Sequence, residues 1–122
     1  MSAWFARPVL FVADIDRSLD FYVGKLGFKQ NMRYVEEGKA LVGGVERDGC
    51  ELLLSCQWPD KVGKGLMFIS LHRDVFAALR PELERRGVDV KDGWWGYQLM
   101  VVNDPDGNQL YFPNPDDPGS LT

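Results

Sequence analysis

Few side chains in this chain could carry chemistry. It holds one histidine, His72, and two cysteines, Cys50 and Cys56. A metal site made of several histidine or cysteine ligands cannot be assembled from one copy, which excludes zinc fingers, iron–sulfur clusters and a two-histidine iron site in a monomer. The cysteines share one short run, CELLLSC, and cannot pair without breaking that strand. Two free thiols accord with a reducing compartment, and a cytoplasmic location is expected. His72 stands before Arg73-Asp74 at a strand-to-helix junction, the place of a surface or cap-adjacent residue. What remains is proton and charge chemistry. Tyr111 could serve as a general acid, with Arg7 stabilising an oxyanion or orienting a carboxylate or phosphate, and Glu51 as the base. Aromatic residues supply the other resource. Neighbours in an extended segment point opposite ways, so one of the pair Trp94-Trp95 can pack inward while the other stays exposed, free to stack on a planar ligand.

The rest of the chain must position these groups. Its 122 residues make one domain, expected to span 1–122. An apolar share of 45% and an aromatic share of 12% are enough for a packed core. Fourteen basic residues against eighteen acidic ones leave a net charge of −4, which argues against a nucleic-acid partner and mildly favours a cationic ligand. The apolar stretch Val9 to Val12 is too short for a signal peptide or a membrane span, so no membrane partner is expected.

Residues 8–13 are predicted to be a buried strand, followed by a helix with Asp14 or Asp16 as its cap and Gly27 as its terminator. Leu19, Tyr22, Val23 and Leu26 fall on one stripe of that helix. Strands are predicted at 28–35 and 39–46, then at 50–56 after the Asp48-Gly49 turn. A polar link at 60–65 is the one plausible hinge. The order then repeats: a strand at 66–71, a helix at 74–86 containing Pro81 and ended by Gly87, and strands at 88–92, 97–103 and 109–112. Gly27-Phe28 answers to Gly87-Val88, and Asp48-Gly49 to Asp106-Gly107, at offsets of roughly sixty residues. The halves thus run over about 5–58 and 65–114, with a flexible tail at 115–122. One helix on a four-stranded sheet cannot close a core by itself, so the halves must pack as a pair. The expected class is α+β, with two βαβββ modules forming a cupped mixed sheet around a small-molecule site. By strand parity Arg7, Val9 and Phe11 share a face, as do Glu51, Leu53 and Ser55.

Two stretches carry a family likeness. One is PVLFVADIDRSLDFY at 8–22, ending in Lys25-Leu26-Gly27-Phe28. The other is Trp95-Gly96 followed by Asp104-Pro105-Asp106-Gly107-Asn108-Gln109-Leu110-Tyr111-Phe112. Together they resemble the vicinal-oxygen-chelate superfamily, which includes glyoxalase I, extradiol dioxygenases, fosfomycin-modifying enzymes and bleomycin resistance proteins. Its fold of two βαβββ modules agrees with the repeat. Its metal-dependent members use four ligand positions, a histidine opening the first strand of each module and a glutamate or histidine in each last strand. Carried over, these fall on Arg7, Leu53, Leu66 and Tyr111. Arginine stays protonated, leucine has no donor atom, and a neutral tyrosine is a poor ligand.

The pattern is therefore closest to the bleomycin resistance proteins, an antibiotic-resistance branch that sequesters a drug unchanged. The resemblance implies a homodimer, no metal and no cofactor, and, because Trp95-Gly96 recurs in the family motif, Trp95 as a core anchor with Trp94 left to stack on the ligand. The ligand would be cationic and planar, held by Arg7, Val9, Phe11, Leu53, Leu66, Phe68, Trp94 and Tyr111. The alternative is a metal-independent lyase or isomerase acting on a small carboxylate or thioester through Tyr111, Arg7 and Glu51. A further alternative is a cup filled by Leu53, Leu66 and Phe68.

Overall fold

Local chemistry starts each element. The Asp14 carboxylate accepts from the Arg17 backbone N–H at 2.8 Å, capping the first helix and settling the choice between Asp14 and Asp16. In the computed structural model, which describes residues 4–119, the first module runs β1 (Val9–Phe11), α1 (Ile15–Leu19), β2 (Lys29–Glu36), β3 (Lys39–Arg47) and β4 (Cys50–Ser55). The second runs β5 (Leu66–Phe68), α2 (Arg73–Arg85), β6 (Lys91–Trp94), β7 (Gln98–Asn103) and β8 (Gln109–Pro113). The strand orders are β1-β4-β3-β2 and β5-β8-β7-β6. In each sheet the first strand lies parallel to the last and the other pairs are antiparallel. The class is α+β, with the two βαβββ modules that the repeat predicted.

Four local expectations are corrected. First, the helix after Asp14 does not stay α-helical. From Asp20–Lys25 it widens into a π-helical segment, and the Leu26 N–H donates to the Phe21 carbonyl. The wider turn still lets Tyr22 and Leu26 bury themselves beside Leu19. Second, β5 ends at Phe68, because Ile69 donates its last bond to the Tyr111 carbonyl and the chain then leaves the sheet. Third, residues 60–65 do not form a free hinge. The Gly63 N–H donates to the Phe11 carbonyl at 3.2 Å, and Gly65 is tied to Asn108 and Gln109. Gly63 has φ of +76°, and any Cβ there would strike the Asp106 carbonyl, so glycine is required twice over. Fourth, the described part of the tail is held in place. The Asp117 carboxylate accepts from the Gln98 and Gly119 backbone N–H groups, and Arg73 pairs with Asp116 at 2.5 Å. The final three residues of that expected tail lie outside the described residues.

Strand alternation decides what each sheet face meets. Leu10, Val12, Leu52 and Leu54 in the first module, and Met100, Val102, Leu110 and Phe112 in the second, turn toward the helices. They merge into one buried cluster with Tyr22 and Leu83, so the modules share a single core on their helix sides.

Two polar devices lock the modules together. In the turn 104–108, Asp104 Oδ1 accepts from the backbone N–H groups of Asp106 and Asn108, both at 2.9 Å. Its Oδ2 accepts from the Tyr22 hydroxyl at 3.0 Å and from Asn108 Nδ2 at 2.9 Å. Asn108 Nδ2 also donates to the Phe11 carbonyl, and Asn108 Oδ1 accepts from the Gly65 N–H. Burial, and next the Asp104 charge, push the Tyr22 phenol far above its usual range, which keeps it a donor. Arg17 reaches across to Asp106.

The second device is Arg47, which donates to both Glu82 carboxylate oxygens at 3.0 and 2.9 Å and to the Leu26 carbonyl at 2.7 Å. The hydrogen bond from Arg47 holds the Glu82 carboxyl below its ordinary 4.5. A carboxyl depressed in the folded state stabilises above its unfolded pKa, and that contribution is lost as pH falls through the folded value. Wild type should therefore exceed Glu82→Gln in stability near neutral pH, and the gap should close below 4.5. Urea unfolding at a series of pH values checks this; a gap that persists in acid would rule it out.

Candidate functional site

The face of each sheet turned away from the helices is where the sequence placed a ligand. Cross-strand register fixes who shares it: Val9 opposite Leu53 and Phe11 opposite Ser55 in the first sheet, Leu66 opposite Gln109 and Phe68 opposite Tyr111 in the second. Val9, Leu66 and Phe68 are large apolar residues left exposed there. The cup is therefore lined but not plugged, against the expectation of a cup filled by Leu53, Leu66 and Phe68.

Three groups occupy these faces. In the second module Phe68, Trp95 and Tyr111 form a mutual edge-on triad, with ring centroids 5.7, 5.4 and 6.0 Å apart. In the first module Phe11 and Trp58 meet edge-on at 5.6 Å, and the Lys61 ammonium lies 5.3 and 5.6 Å from their ring centroids. That pair already receives a cation. Beside it, Arg7 Nε pairs with Glu51 at 2.6 Å while its guanidinium lies 5.0 Å over the Phe5 ring.

Neither Trp94 nor Trp95 takes the role expected of it. Trp95 is 55% exposed and belongs to the triad, so it is no core anchor. Gly96 takes φ of +74° and the Trp95 N–H donates to the Tyr97 carbonyl at 3.0 Å, a tight turn that swings the indole onto the sheet face. The buried aromatic residue of this turn is Tyr97. Trp94 is 70% exposed and lines a groove against Phe76 and Arg80 of α2, on the opposite side from Tyr111. Both indoles are exposed, and it is Trp95 rather than Trp94 that reaches the aromatic face, because β6 ends at Trp94 and the turn through Gly96 follows.

Trp58 and Lys61 went unselected in the sequence. Their signal is an aromatic residue three positions after β4 with a lysine three residues on, inside the polar link at 60–65. Of the candidate trio Tyr111, Arg7 and Glu51, two members are joined directly. Arg7 and Glu51 bond each other, and among the described residues no hydrogen bond joins either to Tyr111.

The four positions inherited from metal-dependent relatives do not suit a divalent cation. Arg7 is a cation tied to Glu51, Leu53 and Leu66 offer no donor atom, and Tyr111 is packed in the aromatic triad. Among the described residues no group of three or more His, Cys, Asp or Glu side chains is placed to hold a metal ion.

A pair of four-stranded modules with open aromatic faces defines a glyoxalase-like fold. The family model described as the Glyoxalase/Bleomycin resistance protein/Dioxygenase superfamily matches residues 4–112, and the chain belongs to that superfamily. No curated protein sequence matches it. Among solved structures, it is similar to the bleomycin-binding protein of bleomycin-producing Streptomyces verticillus in complex with copper(II)-bleomycin. That likeness has a TM-score of 0.72 and 24% identity, covering 95% of this chain and 100% of the other. An antibiotic binding protein from a Streptomyces species aligns with TM-score 0.67 and 24% identity over 93% and 98% of the two chains. A lactoylglutathione lyase from Agrobacterium tumefaciens aligns with TM-score 0.68 and 15% identity over 92% and 93%. Binding proteins and an enzyme thus share this fold, so function must be argued from the site. No helix among the described residues is long and apolar enough to cross a membrane.

Proposed function

We propose that the protein is a cytoplasmic, metal-independent small-molecule binding protein of the bleomycin-resistance type, sequestering a cationic planar ligand without changing it. The observation that carries this reading is the partly exposed triad of Phe68, Trp95 and Tyr111, whose Tyr111 falls at one of the positions where metal-dependent relatives carry a ligand. Edge-on rings offer faces for stacking, and the Phe11–Trp58 pair adds a second aromatic surface, its cation contact already made within the chain by Lys61. A net charge of −4 favours encounter with a cation. The similar bleomycin-binding and antibiotic binding proteins give the ligand class its first candidate.

The working unit is a homodimer. In the single chain β1 and β5 each end a four-stranded sheet, and the aromatic faces flanking them are open. A second copy placing its β5 sheet against the β1 sheet of the first would wall each site from both sides and cover exposed Val9, Leu66 and Phe68.

A thermal-shift series tests the function, using bleomycin, small carboxylates and coenzyme A thioesters, with elemental analysis of the purified protein. Bleomycin should raise the melting temperature by at least about 4 °C at a hundredfold excess over its dissociation constant. Light scattering should give twice the chain mass. About one metal ion per chain would defeat the metal-independent reading. Stabilisation by a carboxylate or thioester, absent in Arg7→Ala, would favour the lyase or isomerase instead.

A further inference from the structure

On the far side of the sheets from the aromatic faces, the two modules do not close completely. A cavity of about 290 Å³ remains between them. Leu26 and Phe28 wall it from the first module, Val75, Leu79 and Leu83 from α2, and Phe112 from β8. Its volume is roughly twice that of an engineered apolar cavity that stays dry and accepts benzene. Of the polar side chains at its rim, Arg47, Asp48, Ser70 and His72, the two with fixed charge are not disposed to receive an anion. Arg47 is held by both Glu82 oxygens and the Leu26 carbonyl, and exposed Asp48 is itself negative. Cys50, half-buried, opens onto the same space.

We propose that this inter-module cavity is a second binding site, one that takes a small neutral apolar molecule of about two fused rings. The size follows from the volume. The neutrality follows from Arg47, whose donors are engaged, and from Asp48, which opposes a carboxylate. A bound molecule would touch both modules at once, stabilising their docking by mass action. The site is independent of the aromatic faces: its walls are the helix-side residues of the sheets, and it needs no second chain.

Cys50 provides the readout. In Cys56→Ser protein it is the single remaining thiol, and burial raises its pKa, so iodoacetamide reacts slowly enough to follow. Indole is the probe, with indole-3-acetate as its charged counterpart. Indole should slow Cys50 alkylation saturably, about fivefold at four times its dissociation constant, while indole-3-acetate has little effect. Val75→Trp fills the cavity mouth from an exposed position on α2 and should abolish the protection without changing the melting temperature. Leu79→Phe, filling it from within, should do the same. Phe68→Ala, on the aromatic face, should leave the protection intact.

Three results would each overturn the proposal. One is no slowing at saturating indole. Another is protection lost in Phe68→Ala but kept in Val75→Trp. The third is protection that grows with protein concentration alone, which would make a second copy the occupant. Equal protection by indole-3-acetate would overturn the neutral-ligand assignment. None of these measurements uses bleomycin or the dimer, so failure here and failure of the sequestration reading remain distinguishable.

Discussion

Asn108→Ala is expected to destabilise the protein by about 3–5 kcal/mol. The side chain is fully buried. It donates to the Phe11 carbonyl and to Asp104, and it accepts from the Gly65 N–H. Alanine removes all three bonds and leaves the Gly65 N–H an orphan donor, whose desolvation alone costs about 1–3 kcal/mol. The Phe11 carbonyl keeps the Gly63 N–H, so it is only partly abandoned. For a domain of this size the melting temperature should fall by about 10–20 °C. Asn103→Ala, at an exposed position in the neighbouring strand, should change stability by less than about 0.5 kcal/mol. Chemical denaturation of both variants decides the matter. A loss below about 1 kcal/mol for Asn108→Ala would mean that the inter-module network is replaceable by water. Because Phe11 belongs to the first module and Asn108 to the second, the variant should also loosen their docking. Faster amide exchange in β1 than in β2 would show that directly.

Trp95→Ala is expected to weaken binding of bleomycin about 30-fold or more, whereas Trp94→Ala should change it less than about twofold. Trp95 completes the triad with Phe68 and Tyr111, and removing it withdraws two of the three ring contacts along with a stacking surface. The indole is more than half exposed in the chain alone, so the loss should appear in affinity rather than in melting temperature. Titration calorimetry on the two variants separates the indoles. If Trp94→Ala abolishes binding and Trp95→Ala does not, the ligand lies in the groove along α2 instead. The same experiment on Trp58→Ala tests whether the Phe11–Trp58 pair adds a stacking surface for the planar part of the ligand. A loss of about two- to tenfold is expected there, the range of a single aromatic contact.

Much of this was legible in the residues. Two sets of strand signals roughly sixty positions apart, each with a single helical stripe, give two equal modules, because neither half could bury its sheet alone. The turn 104–108 announces itself in its composition, and Asp14 announces the first helix. Positions that could hold a metal were also decided by identity: no arrangement of Arg7, Leu53 and Leu66 makes a set of donors. What failed was local geometry where tertiary contacts override pattern. Residues 60–65 have the composition of a flexible link, yet their backbone groups are the partners that the 104–108 turn needs, so they are pinned. The helix stripe implied regular turns, yet seating both Tyr22 and Leu26 against the sheet is accompanied by an inserted π-helical segment.

Residue identities along the chain settled the module plan, the absence of a multi-histidine or multi-cysteine metal set in one copy, and the faces of the strands, because period-two alternation and side-chain chemistry are local properties. The tertiary structure alone decided which aromatic residues meet. Phe68, Trp95 and Tyr111 come from three separate stretches, and only the φ of Gly96 turns Trp95 toward the other two. It likewise decided that Arg7 spends its charge on Glu51 and that a cavity remains between the modules. Contacts between side chains distant in sequence depend on how two packed layers settle against each other, and no pattern along one strand contains that information.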